Sequence, residues 1–80
     1  MKINRRLGDR LRIDVPADDS NGSPPLIHFM LESDLSVASE RVFGSGIYTF
    51  AQTADAGWDI MRGPTLMGKA SIVGPAKGRP

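Results

Sequence analysis

From Arg10 to Val15 apolar and charged side chains alternate without a break. Leu11, Ile13 and Val15 fall on one face, and Arg10, Arg12 and Asp14 on the other. A period of two is the pattern of a strand with one face buried and one face wet. Such a strand needs neighbours to pair with, so this segment points the whole chain towards a sheet.

The segments around it are of strand length and are separated by turn formers. Upstream, Lys2 to Arg6 reads as a partner strand, with Leu7-Gly8-Asp9 as the hairpin turn. Pro16 to Pro25 is rich in Pro, Asp, Ser, Asn and Gly and reads as a loop. Leu26 to Leu31 is a short apolar run and reads as a buried strand. Ser33 to Arg41 is ambiguous. Ser33 or Asp34 would cap a short helix carrying Leu35, Ala38 and Val42, whereas a strand would put Leu35, Val37 and Phe43 on one face. The strand is slightly favoured, because Ser36, Val37 and Ser39 are mediocre helix formers.

Arg41-Val42-Phe43, Gly44-Ser45-Gly46 and Ile47-Tyr48-Thr49-Phe50 read together as a hairpin. A turn at Ala54 to Gly57 leads to a strand with Trp58 and Ile60 on one face, which Gly63-Pro64 ends. Leu66 to Val73 is the last expected strand. The expectation is a mainly β fold: a small antiparallel meander, curved sheet or barrel of five to seven short strands, with at most one short helix. Residues 1–73 form one domain with a loop at 16–25, and residues 74–80 a flexible tail without an apolar anchor.

Eighty residues bury only about 60% of their unfolded surface, so stability is marginal and a staple is welcome. The chain has no cysteine, which removes disulfides and thiolate metal sites and fits a reducing, cytoplasmic setting. A homodimer, or folding tightened by a partner, is the remaining form of support. No run approaches the ~20 apolar residues of a membrane helix, and no apolar stretch of signal-peptide length follows the first basic residues.

Net charge is +1, but the charges are sorted along the chain. Residues 1–12 carry Lys2, Arg5, Arg6, Arg10 and Arg12 against Asp9, a balance of +4. Residues 13–59 stand at −7, and residues 60–80 return to +4. If the basic ends meet in space, the domain has a basic and an acidic face, suited to steering and orienting a partner. Arginine suits forked contacts to phosphate or carboxylate. The partner-binding candidates are therefore Arg5, Arg6, Arg10 and Arg12, the acidic pair Asp18 and Asp19, and the aromatic–basic pair Trp58 and Arg62.

Reactive chemistries find little support. His28 is the only histidine and sits in an apolar run, which suits a core or edge imidazole better than a ligand or a base. Asp18-Asp19-Ser20-Asn21-Gly22 lacks the spacing and closing glutamate of a calcium loop. Gly63 to Ala70 nearly spells G-x-x-x-x-G-K-S/T, but Ala70 replaces the hydroxyl that would hold Mg²⁺. Phe29, Phe43 and Phe50 are expected to pack the core, and Tyr48 and Trp58 are candidate interface anchors. No enzyme activity, cofactor or metal is expected.

Ile3-Asn4-Arg5-Arg6-Leu7-Gly8-Asp9-Arg10-Leu11-Arg12-Ile13 resembles the start of the carbon storage regulator family of RNA-binding dimers. That resemblance implies two strands around a glycine–acidic turn, with Arg5 or Arg6 on RNA. It stops at the Pro/Asp loop, and the family's later strands have no counterpart. In size and lack of catalytic motif the whole chain is similar to small phage-encoded inhibitors of the anti-CRISPR type, directed at type I systems. That likeness implies a stoichiometric blocker of a defence complex and transfers no residue. The leading expectation is a non-enzymatic, protein-binding inhibitor or adaptor. A small RNA- or DNA-binding protein using the arginine cluster is the alternative, and a minor phage structural or assembly protein comes third.

Overall fold

In the computed structural model, which describes residues 1–74, five strands form one open, fully antiparallel sheet and a single helix packs on one side of it. The strands are β1 (Arg10–Val15), β2 (Leu26–Met30), β3 (Thr49–Gln52), β4 (Trp58–Arg62) and β5 (Thr65–Val73), and the helix is α1 (Leu35–Phe43). The order across the sheet is β2-β1-β5-β4-β3. A hairpin (β1–β2) and a meander (β3–β4–β5) are thus joined through the central β1–β5 pair, with α1 connecting the two edge strands over one face. The expected tail begins at Gly74, and its residues 75–80 lie outside the described residues.

The alternation in β1 sets the two faces. Leu11 pairs with Met30 and Ile72, and Ile13 with His28 and Ala70. These residues share a face with Trp58 and Ile60 of β4 and Phe50 of β3. Leu11, Ile13, Ile60 and Ala70 meet Leu35 and Ala38 of α1, and Tyr48, in one buried cluster. Burial of each large apolar side chain is worth about 1.5–3 kcal/mol. Among the described residues four such side chains, Leu11, Ile13, Leu35 and Ile60, are wholly buried, so the core is small.

Three expectations are corrected. First, residues 35–43 are helical. Asp34 is extended and its carboxylate accepts from Ser36 N at 2.9 Å, an N-cap. The Glu32 carboxylate accepts from Ser33 N and Asp34 N, ordering the approach. Leu35, Ala38, Ser39 and Val42 follow the helical spacing and face the sheet, which outweighs their modest propensities. Val37, assigned to the buried side of a strand, is exposed. The hairpin expected over 41–50 therefore does not form. Gly44 adopts φ 96° and its N–H donates to Glu40 O, so it stops the helix instead of turning a hairpin. Tyr48 is buried, and its hydroxyl donates to Gly44 O at 2.6 Å.

Second, Lys2 to Arg6 is not a partner of β1. That side of β1 is taken by β2 and the other by β5. The N-terminal segment instead runs against the approach to α1, through Ile3 N to Ser33 O and Leu35 N to Met1 O, both 2.8 Å. Third, Leu26 to Met30 is a strand but not a buried one. It is an edge, and Leu26, Ile27 and Phe29 are each about half exposed. Phe29 is thus not a core residue, whereas Phe43 and Phe50 do pack against the core.

Candidate functional site

The sheet has one helix-covered face and one that no helix or strand among the described residues covers. Register places the residues of the uncovered face in rows. One row crosses all five strands as Ile27, Asp14, Lys69, Asp59 and Ala51. The next begins Phe29, Arg12, Ser71. Arg10 and Val73 follow on the same side.

The chemistry of this face changes from one edge to the other. On β2 it is apolar, with Ile27 and Phe29. In the middle it is a charge lattice. Arg12 Nε bonds Asp14 Oδ1 at 2.9 Å, and Lys69 stands in register between Asp14 and Asp59. Arg10 lies over the Phe29 ring, 5.0 Å from its centroid, a cation–π arrangement. Beyond the lattice, the Thr53 hydroxyl holds the Asp55 carboxyl below the usual aspartate range, helped by the charge of Lys69. On β3 the face is small and polar, with Thr49 and Ala51.

The sequence candidates are scattered over the molecule. Arg10 and Arg12 reach the uncovered face. Arg5 is spent on structure, its Nε donating to Ser33 Oγ and its Nη1 to Asp9 O at 2.7 Å. Arg6 is exposed in the turn before β1, where its N–H donates to Asp9. Asp18 and Asp19 lie in the β1–β2 loop. Asp18 accepts from both the N–H and the hydroxyl of Ser20 and pairs with Ser23 across a tight turn. Both aspartates line an open groove of about 400 Å³ with Val15, Pro16 and Phe43.

Trp58 is half-buried on the covered face against the core. Arg62 lies at the hairpin end of β4, four residues and about 13 Å along the strand, so the two form no pair. Its guanidinium lies over Gly46. Residues 63–70 form a two-residue turn and part of β5, not a phosphate-binding loop before a helix. Nor do the charges sort by face, since Arg10, Arg12 and Lys69 share theirs with Asp14 and Asp59.

Sequence reasoning missed Ile27, Phe29 and Lys69 as surface residues. An apolar run such as 26–31 reads the same for a central strand and an edge, and only the strand order separates the two. A scan against protein-family models finds no match for the chain, and searches of curated proteins and of solved structures find none either. No helix among the described residues is long and apolar enough to cross a membrane.

Proposed function

We propose that this chain is a non-catalytic protein-binding module, an inhibitor or adaptor, whose contact surface is the uncovered sheet face centred on Phe29, Ile27, Arg10 and Arg12. The observation that carries the reading is a half-exposed aromatic ring and a half-exposed isoleucine beside Arg10, which lies over that ring, and the Arg12–Asp14 ion pair. Exposed apolar side chains bordered by patterned charges are the mix found in protein interfaces. Specificity would come from matching the lattice of Arg12, Asp14, Lys69 and Asp59, because a mismatched charge opposite it is costly. A stoichiometric blocker of the phage-inhibitor kind is one form of such a module.

The test is affinity capture from the host of origin. The expected result is one protein at equimolar ratio, held at least about tenfold less tightly by Phe29→Ala, the loss typical of a central aromatic contact. Absence of an equimolar protein, or full affinity in Phe29→Ala, removes the reading.

Nucleic acid is the second reading, because Phe29 between Arg10 and Arg12 resembles a stacking platform beside basic groups. The carboxylates of Asp14 and Asp59 on the same face weigh against it. Binding of single-stranded RNA or DNA in low-salt gel shifts, falling steeply as salt is raised, would favour it over the protein reading.

A further inference from the structure

We infer that the free edge of β2 pairs with β2 of a second copy of this chain, antiparallel about a two-fold axis normal to the sheet at His28, giving one continuous ten-stranded sheet. The two edges of the monomer differ in kind. β3 has four residues, Thr49 to Gln52, three of them exposed and two of them polar, as suits a strand end facing water. β2 carries Leu26, Ile27, Phe29 and Met30, followed by Leu31, and no charged residue occurs from Pro24 to Leu31. Leu26, Ile27, Phe29 and Leu31 are 51%, 52%, 49% and 67% exposed. The register places Ile27 and Phe29 on the uncovered face and Leu26 on the covered one, so exposed apolar side chains flank the free edge on both sides of the sheet.

The pattern of the strand selects a copy of itself as occupant. Pairing about His28 sets Leu26 against Met30 and Ile27 against Phe29 of the second copy, twice each by symmetry. The second is a β-branched–aromatic pair of the kind that stabilises neighbouring strands. A shift of two residues either way sets Leu26 against Glu32 or Met30 against Pro24 and loses this match. No charge opposes the pairing. Arg12 is in register with Phe29 and Asp14 with Ile27. Each row across the joint therefore runs Arg12, Phe29, then Ile27 and Asp14 of the second copy, with opposite charges at its ends. Both uncovered faces lie on the same side, and their apolar strips merge into one centre with charge on both flanks.

The experiment reads self-association alone, so its outcome is independent of whether the uncovered face binds another protein. Sedimentation equilibrium of the full chain is expected to show a concentration-dependent shift from one chain to two. Phe29→Asp and Ile27→Asp should each weaken it by about tenfold or more, since each change acts at two symmetric pairs. The chain has no cysteine, so single introduced thiols report the register. His28→Cys should form a disulfide-linked dimer under mild oxidation, because residues directly opposite have Cα atoms about 4.5–5.5 Å apart, within disulfide reach. Leu31→Cys should not, as its symmetry mate would lie about 20 Å away. A chain that stays monomeric at its highest soluble concentration overturns the proposal, as does equal crosslinking by the two variants. It is also overturned if residues 26–30 gain hydrogen-exchange protection only when a different protein is added.

Discussion

Gly68 is where the sheet leaves no room for a side chain, and replacing it tests the packing directly. It sits in β5 beside a register irregularity, on the covered face, opposite Ile60. A Cβ built there falls against Asp14 O, closer than real Cβ atoms sit to a carbonyl, and 3.1 Å from Phe43 Cζ. The aromatic ring can tilt, but the carbonyl belongs to β1. Relief requires the central β1–β5 pair to part by a large fraction of an ångström near Asp14 and Lys69. Overpacking of this kind costs about 1–3 kcal/mol. A weakened ladder hydrogen bond adds roughly 1 kcal/mol. Against this, alanine lowers the entropy of the unfolded chain and favours folding by about 0.5–1 kcal/mol.

The net expectation for Gly68→Ala is a loss of about 2 kcal/mol. Its urea midpoint should fall by about 2 M, for a slope near 1 kcal/mol per M in a chain this small. The single tryptophan, Trp58, is half-buried against the core and reports the transition by fluorescence. Gly46→Ala is the control. The nearest atoms its Cβ would meet belong to the Arg62 side chain, at 3.2 Å, which is exposed and free to swing away. That variant should stay within about 0.5 kcal/mol of the parent. Equal midpoints for the two variants would refute the close-approach argument.

Three further changes probe other parts of the fold. Ser39 is fully buried in α1 and its hydroxyl has no hydrogen-bond partner among the described residues, so Ser39→Ala should raise stability by roughly 0.5–2 kcal/mol in chemical denaturation. Ile13 is wholly buried on the central strand, and Ile13→Ala should cost about 2–5 kcal/mol and leave much of the chain unfolded by circular dichroism at room temperature. Asp34 is held below the ordinary aspartate range by the amino terminus of Met1 and then by the Ser36 N–H. Its folded value is lower than its unfolded one, so its contribution is complete above about pH 4 and is lost as pH falls through the folded value. Asp34→Asn keeps a capping oxygen and removes the charge. Acid titration of its stability should therefore be shallower below pH 4 than in the parent.

Much of this architecture was legible because β1 alternates cleanly and Pro and Gly mark the turns. The strands at 10–15, 26–30 and 58–62 come from local pattern alone. The helix is legible as well, in Asp34 as a cap and in Leu35, Ala38 and Val42 at helical spacing, but the modest propensities of Ser36, Val37 and Ser39 point the other way. Gly44-Ser45-Gly46 does not decide between them. A glycine after an apolar run serves a helix stop or a hairpin equally well, and the choice depends on the helix packing against Ile13 and Ile60 far away in sequence. The uncovered face was half legible. Arg10 and Arg12 stand out in the alternation, but Lys69 joins them only through the β1–β5 register. Phe29 joins them only because β2 is an edge.

The exposure of β2 follows from the dimensions of the fold. Five strands span about 19 Å across the sheet. A single helix is about 10 Å wide and, at nine residues, about 13 Å long. Lying on the sheet in either direction, α1 covers two or three strands, and its buried residues choose β1, β5 and β4. Of the apolar side chains on β2, only Met30 reaches that cluster. Leu26, Ile27 and Phe29 stay about half exposed, with Arg10 over the Phe29 ring, and no strand among the described residues pairs with the free edge. A strand given over to solvent is ordinarily short, charged or interrupted by proline, as a guard against pairing with other chains. β2 carries neither a charge nor a proline within its five residues, so its sequence suits a paired strand, as the proposed joint with a second copy would make it.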